Sequence, residues 1–105
     1  MTAIDLARFT SKTSMVLSGR ERGVGVRSKL DLDKLDRAAQ IIEVTIPEHI
    51  ISLNSSFFQG LFGESVRSLG GLKFRECYRF LCSEVIAEDI EKGIVDALNQ
   101  SNPLS

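Results

Sequence analysis

The sequence predicts one α/β domain with a small, mixed and mostly parallel sheet of about four strands and about three helices. Short hydrophobic segments of strand character alternate along the chain with segments of helical periodicity. Because parallel neighbours need helix-length connections, this alternation favours a parallel sheet covered by helices. The 105 residues are 43% hydrophobic and 26% charged, which suits one core and a single domain over residues 1–105 rather than a disordered chain.

The N-terminal region, residues 1–17, is predicted to contain strands. Apolar and polar residues alternate weakly from Ala3 to Phe9, which is expected to be an edge strand, and Met15 to Leu17 is expected to begin the next strand. These two strands would form a first hairpin, in which antiparallel pairing is possible. Ser18 to Gly25 holds three glycines in eight residues and is predicted to be a loop. Val26 to Gln40 then keeps its apolar side chains on one broad face, which indicates a helix.

The strongest helical segment is Ser56 to Leu69. Its apolar residues follow helical spacing, and Ser56 with Gln59 has the form of a capping box. Gly70-Gly71 is a typical end for such a helix. The internal Gly60 and Gly63 each destabilise a helix by ~1 kcal/mol relative to alanine, so we expect a closely packed neighbour beside them.

Further strands and a final helix complete the predicted domain. Ile41 to Ile46 is β-branched, nearly all apolar and closed by Pro47, as a central strand should be. Cys77 to Cys82 is predicted to be a strand whose two cysteines lie on opposite faces, half-buried and unable to bridge each other. A final helix follows Ser83, and residues 99–105 are expected to fray. Its apolar positions recur every four residues: Ile86, Ile90, Ile94 and Leu98.

The segment from Ile41 to Leu69 carries a resemblance to a known family. A hydrophobic strand is followed by Ile50-Ile51-Ser52-Leu53-Asn54-Ser55-Ser56-Phe57-Phe58, then by Leu61-Phe62-Gly63 and Val66-Arg67. This resembles the sulphate-transporter and anti-sigma-factor-antagonist (STAS) superfamily, in which a strand leads to an Asp-Ser-Ser/Thr-Gly turn that opens a helix. More narrowly, it resembles a bacterial STAS-like family of unknown function. The resemblance spans residues 18–98.

The resemblance implies a regulatory protein–protein interaction module rather than an enzyme. In the anti-sigma-factor antagonists of the superfamily, a partner kinase phosphorylates the first serine of the turn, which by position is Ser55. Asn54 stands at the aspartate position, and the loss of the carboxylate removes one feature of kinase recognition. Phe57 stands at the glycine position and adds bulk beside the acceptor hydroxyl. The implied partner is a kinase-like ATPase, another regulator, or a second copy of the chain in a homodimer.

The residues themselves leave two roles open for the serines. As helix caps, Ser55 and Ser56 would each contribute ~1 kcal/mol. As a phosphorylation site, Ser55 would gain about −1.5 to −2 charge at a helix amino end, where free N–H groups tolerate an anion. The predicted interaction surface joins this turn to the basic segment upstream: Asn54, Ser55, Ser56, Arg20, Arg22 and Arg27.

The glycine- and arginine-containing loop 19–27 offers an alternative function. A basic loop before a helix is suited to hold a phosphate or nucleotide, as in a small ligand sensor or enzyme. Its spacing matches neither the Walker pattern nor a dinucleotide fingerprint, so a solvated turn is the other interpretation.

Composition argues against several other classes of protein. Residues 1–40 hold eight Lys or Arg and five acidic residues, whereas residues 41–105 hold five and nine, so the charge is polarised without the basic stripe of a nucleic-acid binder. His49 stands alone and the cysteines are not clustered, so no metal or cofactor is expected, and His49 is interpreted as a surface loop residue. The sequence shows no membrane-spanning apolar run and no secretory leader, so the expected location is the cytoplasm.

Overall fold

A parallel sheet of three short strands forms the centre of the fold, which confirms the α/β class. The computed structural model describes residues 2–38 and 40–100. Strands β1 (Thr2–Asp5) and β3 (Ile42–Thr45) pair in parallel, and β3 pairs in the same way with β5 (Tyr78–Leu81). The order β1-β3-β5 places β3 in the middle, as the β-branched sequence of that segment predicts.

A separate pair of strands lies beside this sheet. Strand β2 (Val16–Leu17) pairs in parallel with β4 (Ser52–Leu53). The predicted single sheet of four strands is therefore wrong, as is the possibility of an antiparallel first hairpin. Strand β1 ends early because Asp5 accepts a hydrogen bond from the Ala7 N–H and starts a 3₁₀ turn over Leu6–Phe9, in place of the predicted strand to Phe9.

The segment predicted as a glycine loop is mostly a helix. Helix α1 (Arg20–Leu30) begins directly after Gly19. The φ of Gly19 is 95°, a backbone conformation that glycine adopts readily and residues with a Cβ rarely do. It ends at Asp31, which adopts the left-handed conformation with a φ of 53°, and α2 (Leu32–Arg37) follows. The predicted helix from Val26 to Gln40 is thus divided by a turn; Ala39 lies outside the described residues, and Gln40 is not helical.

The predicted helix from Ser56 to Leu69 is confirmed, with one irregularity. Helix α3 (Ser55–Phe58), a π-helical turn (Gln59–Gly63, called the π turn below) and α4 (Glu64–Leu69) follow one another without a break. The expected capping box does not form. Asn54 caps the helix instead, and the buried Gln59 side chain turns inward to donate from Nε2 to the Gly93 carbonyl oxygen at 2.9 Å.

The C-terminal part contains one helix that the sequence did not predict. Gly70, with a φ of 86°, ends α4, and α5 (Gly71–Cys77) begins at once. After β5, Ser83 accepts a hydrogen bond from the Ile86 N–H and starts α6 (Glu84–Gln100). Residues 99 and 100, predicted to fray, belong to this helix, and residues 101–105 lie outside the described residues.

Aromatic side chains fill the space between the three-stranded sheet and the helices. Phe74 stacks on Tyr78 with 4.5 Å between ring centroids, and Phe62 meets Tyr78 and Phe80 edge to face at 5.5 and 5.4 Å. Phe58 packs against Phe62, and these rings are buried apart from Phe80, which is half-buried. The phenylalanines of the α3 segment are therefore core residues, as their helical spacing predicts.

Helix α1 crosses the π turn at a distance that excludes side chains. A Cβ on Gly23 would lie against the Phe57 carbonyl oxygen and 2.9 Å from the Leu61 nitrogen, and a Cβ on Gly60 would lie against the Arg20 carbonyl oxygen. Contacts of Cβ with backbone at that range require the backbone to move. The close neighbour expected beside Gly60 is thus α1, much of which the sequence predicts to be a loop.

Alanine at Gly23 and at Gly25 is expected to change stability in opposite directions, although both residues lie in α1. For Gly23→Ala, the added Cβ has no room, and we expect the free energy of unfolding to fall by about 1–3 kcal/mol. For Gly25→Ala, the added Cβ enters open space, and we expect a rise of about 0.5–1 kcal/mol because a helix-interior glycine is removed. Urea denaturation followed by circular dichroism measures both. Similar values for the two variants would contradict the close crossing.

Candidate functional site

The start of α3 presents two serines to solvent directly after a short strand. The Asn54 N–H donates to the Leu17 carbonyl oxygen at 2.8 Å, which ties the turn to β2, and Asn54 Oδ1 accepts from the Ser56 N–H at 2.8 Å. Asn54, Ser55 and Ser56 are all exposed. The strand that leads directly to them is β4, which the sequence did not predict. Strand β3 ends at Thr45, and residues 46–51 connect it to β4.

Helix α6 supplies two carboxylates to this region. Asp96 Oδ2 accepts a long hydrogen bond of 3.5 Å from the Ser55 hydroxyl, and Asp89 Oδ2 accepts one of 2.9 Å from the Leu53 N–H. The two aspartates are seven residues apart, so they lie on the same face of the helix. The position of Ser55 is therefore coupled to α6, and any charge added to its hydroxyl would stand beside Asp96.

Arg27 does not belong to an exposed surface, and its assignment to the interaction surface is wrong. It is 8% exposed. Its Nη1 donates to the Leu61 carbonyl oxygen of the π turn and to Ser65 Oγ, both at 2.8 Å, and its Nη2 donates to Asp33 Oδ1 at 2.6 Å. A buried guanidinium with these partners fastens α1 to the π turn, to α4 and to α2.

Asp36 extends this contact into a buried polar network that reaches the sheet. One carboxylate oxygen of Asp36 accepts a short hydrogen bond from the Ser65 hydroxyl and lies 3.4 Å from Arg27 Nη2. The other accepts from the Tyr78 hydroxyl at 2.6 Å. Burial, and secondly the hydrogen bond to Asp36, raise the pKa of Tyr78 well above its usual value of 10.0. Arg27, Asp36, Ser65 and Tyr78 will be called the Arg27 network.

The other arginines of the predicted surface face different directions. Arg20 and Arg27 fall on one side of α1, and Arg22 falls on the other because it is two residues further along a helix of 3.6 residues per turn. Arg22 Nη2 donates to the Phe9 carbonyl oxygen at 2.8 Å. The three arginines therefore do not converge, and Gly23, inside the helix, donates its N–H to the Gly19 carbonyl oxygen at 3.1 Å. The phosphate-binding loop predicted at 19–27 does not form.

A cleft of about 320 Å³ opens between α1 and the π turn. Gln59 Oε1 and Arg27 Nε, both on residues of its lining, are buried without a hydrogen-bond partner in the part of the chain that the structure describes. Its charged residues balance in number, three arginines against three carboxylates, so the cleft has no net preference for an anion. They are Arg20, Arg27, Arg67, Asp31, Asp33 and Glu64.

The remaining reactive side chains are dispersed. His49 Nε2 lies 3.1 Å from the Ser11 carbonyl oxygen, so His49 holds two loops together. Both cysteines are free and half-buried, as predicted, and burial raises the pKa of the Cys82 thiol. Within residues 2–38 and 40–100, no three His, Cys, Asp or Glu side chains are grouped as a metal site requires. No helix in those ranges has the length and apolar composition to cross a bilayer.

The Arg27 network was missed by sequence reasoning. Arg27 and Asp36 are nine residues apart and Ser65 and Tyr78 are thirteen apart, and neither spacing brings side chains together within one regular element. Asp96 was missed for the same reason, since it reaches Ser55 across 41 positions of sequence.

Comparison of the chain with protein-family models, with curated proteins and with solved structures finds no match.

Replacing Tyr78 by phenylalanine tests the Arg27 network. Because the pKa of Tyr78 is raised by folding, its hydrogen bond contributes stability that is fully present below the unfolded pKa of about 10 and is lost as the pH rises above it. For Tyr78→Phe we expect the free energy of unfolding at neutral pH to fall by about 1–3 kcal/mol. We also expect a flatter decline between pH 9 and 11 in urea titrations, a range set by the ordinary tyrosine pKa of about 10.

Phe74→Leu is the control, because it disturbs a neighbouring ring and leaves the Tyr78 hydroxyl in place. It should keep the alkaline decline of the parent protein. Tyr78 is the single tyrosine, so its ionisation is read directly from absorbance at the tyrosinate band. Ionisation of the folded protein at the usual tyrosine pKa would contradict the buried hydrogen bond to Asp36.

Proposed function

We propose that this protein is a non-catalytic regulatory module of the STAS-like kind, which binds a partner protein through the start of α3. The observation that supports this most is the exposed Asn54-Ser55-Ser56 turn at the amino end of a helix, directly after strand β4. It agrees with the sequence resemblance, in which a strand leads to a serine turn and a helix. The helix is long, since residues 55–69 continue through α4, and its amino end is anchored to β2 through Asn54.

The local electrostatics of Ser55 suit a switch controlled by phosphorylation. The amino end of the helix favours an anion, because free N–H groups and the helix dipole point towards it. Asp96 opposes an anion at the same hydroxyl, since its carboxylate lies 3.5 Å away. A phosphate of about −1.5 to −2 charge would therefore break the Ser55–Asp96 contact and alter the charge of the surface that a partner meets.

The partner that fits this proposal is a kinase-like ATPase, another regulator, or a second copy of the chain. Nucleic acid fits less well, because the chain has a net charge of −1 and the exposed turn at Asn54 carries no cation of its own.

Aspartate at Ser55 is expected to weaken partner binding. Cross-linked affinity capture from cells that express the protein natively, read by quantitative mass spectrometry, should recover a partner with the unaltered protein and with Ser55→Ala. For Ser55→Asp, we expect recovery of that partner to fall about ten-fold or more, because a charge is placed where the interface meets a neutral hydroxyl. Sedimentation of the purified variants shows whether the partner is a second copy.

Ser68→Asp is the matched control, since Ser68 is an exposed serine in the same continuous helix, near its other end. It adds the same charge and should leave recovery unchanged. The proposal is wrong if no protein is enriched over the bead control, or if Ser68→Asp and Ser55→Asp reduce recovery equally.

A further inference from the structure

On the side of α1 opposite to the cleft lies a groove whose charged residues, among those that the structure describes, are all cations. The cleft uses α1 positions 20, 24, 27 and 28, whereas the groove uses positions 22, 25, 26 and 29, which a helix of 3.6 residues per turn places about half a turn away. The groove has a volume of about 500 Å³ and is closed on its other side by the 3₁₀ turn and the residues after it, Arg8 to Ser11. We call it the basic groove and define it by Arg8, Arg22 and Lys29.

The cations of the basic groove are available to a ligand. In the described part of the chain, no Asp or Glu lines the groove, and none of Arg8, Arg22 and Lys29 forms an ion pair. This differs from the cleft, whose lining has as many carboxylates as arginines. An uncompensated group of positive charges attracts anions, and its field is strongest in a concave surface.

The backbone and hydroxyl groups of the groove suit a polar ligand. Arg22 is held in place by the Phe9 carbonyl oxygen at 2.8 Å. A Cβ on Gly25 would meet nothing within 4 Å, so that stretch of α1 backbone is open to approach. The Thr10 hydroxyl oxygen is buried and has no hydrogen-bond partner among the described residues. A buried polar atom without a partner is uncommon in folded proteins and marks a place that water or a ligand atom completes.

The spread of the charges selects a ligand with several negative groups. Arg22 and Lys29 are seven residues apart in α1, which corresponds to about 10 Å along the helix axis. One phosphate or carboxylate does not reach both, whereas an extended acidic peptide carries side chains on one face about every 7 Å.

The groove favours a protein segment over a nucleic acid. Its aromatic residue, Phe9, packs against the hydrophobic core and lies under the Arg8 guanidinium, 5.9 Å from the ring centroid. A base needs an exposed ring face on which to stack. Phe9 does not offer one, so recognition here depends on charge and hydrogen bonding.

We propose that the basic groove binds an acidic segment of a partner protein, at a surface separate from the start of α3. The protein nature of the ligand rests on the proposed function. The cations of the groove would bind the acidic segment, while the serine turn would control whether the partner binds at the start of α3.

Fluorescence anisotropy with labelled octaglutamate as the probe tests the groove in the full chain at low salt. We expect saturable binding that weakens with added salt, because salt screens exposed charges. Arg8→Gln combined with Lys29→Gln should raise the dissociation constant about ten-fold, whereas Arg20→Gln combined with Lys34→Gln should raise it less than about two-fold. The control pair removes the same two residue types from exposed positions outside the groove. Thermal unfolding of each variant checks that it is folded.

Three results would overturn the proposal. They are an absence of octaglutamate binding by the unaltered protein, an equal loss in the two variant pairs, and tighter binding of labelled octathymidylate with the same dependence on Arg8 and Lys29. Ser55→Asp should bind octaglutamate as the unaltered protein does. If octaglutamate binds at the groove and partner capture does not depend on Ser55, the proposed function is wrong and the proposed binding at the groove still holds. If octaglutamate does not bind and partner capture does depend on Ser55, only the proposed binding at the groove is wrong.

Discussion

The direct contact of α1 with the π turn is the constraint on which the arrangement of the other helices depends. Gly23 and Gly60 allow the two backbones to meet, and no residue with a Cβ fits at either position without a shift. Arg27, one helical turn after Gly23, then reaches the Leu61 carbonyl oxygen. The hydrogen bond from the buried Arg27 guanidinium to the Leu61 carbonyl oxygen therefore depends on the close approach of the two backbones. A buried arginine that lost these acceptors would be strongly destabilising.

The Arg27 network links elements that are distant in sequence. Asp36 receives hydrogen bonds from Ser65 in α4 and from Tyr78 at the start of β5, so α2 is connected to the long helix and to the sheet through one carboxylate. The exposed start of α3 belongs to the same continuous helix as Ser65. The helix that carries the serine turn is thus joined to the interior by a polar network at Ser65, and the residue before Asn54 is joined to α6 through Asp89.

The sequence predicts the elements whose signal is local and fails where the signal depends on a partner. Strand β3 is visible because its residues are β-branched and nearly all apolar, and the helices that follow Asn54 and Ser83 are visible because their apolar residues repeat with helical spacing. From the sequence alone Gly23 indicates a loop, because glycine lowers helix propensity wherever it stands. Its actual role, close approach to Gly60, exists only once the second helix is in place. The exposed position of Ser55 followed from a local cap, whereas the burial of Arg27 required three other segments.

The left-handed turn at Asp31 has a consequence for the whole molecule. If α1 continued straight, Asp33 and Asp36 would be carried about 9 and 13 Å along the axis beyond Arg27, out of its reach. The turn interrupts the straight helix, and Asp33 and Asp36 lie within hydrogen-bonding distance of Arg27. Aspartate, asparagine and glycine tolerate this backbone conformation, and β-branched residues do not. The backbone preference of Asp31 is therefore suited to the break between α1 and α2, and this break brings the carboxylates of Asp33 and Asp36 to the Arg27 guanidinium.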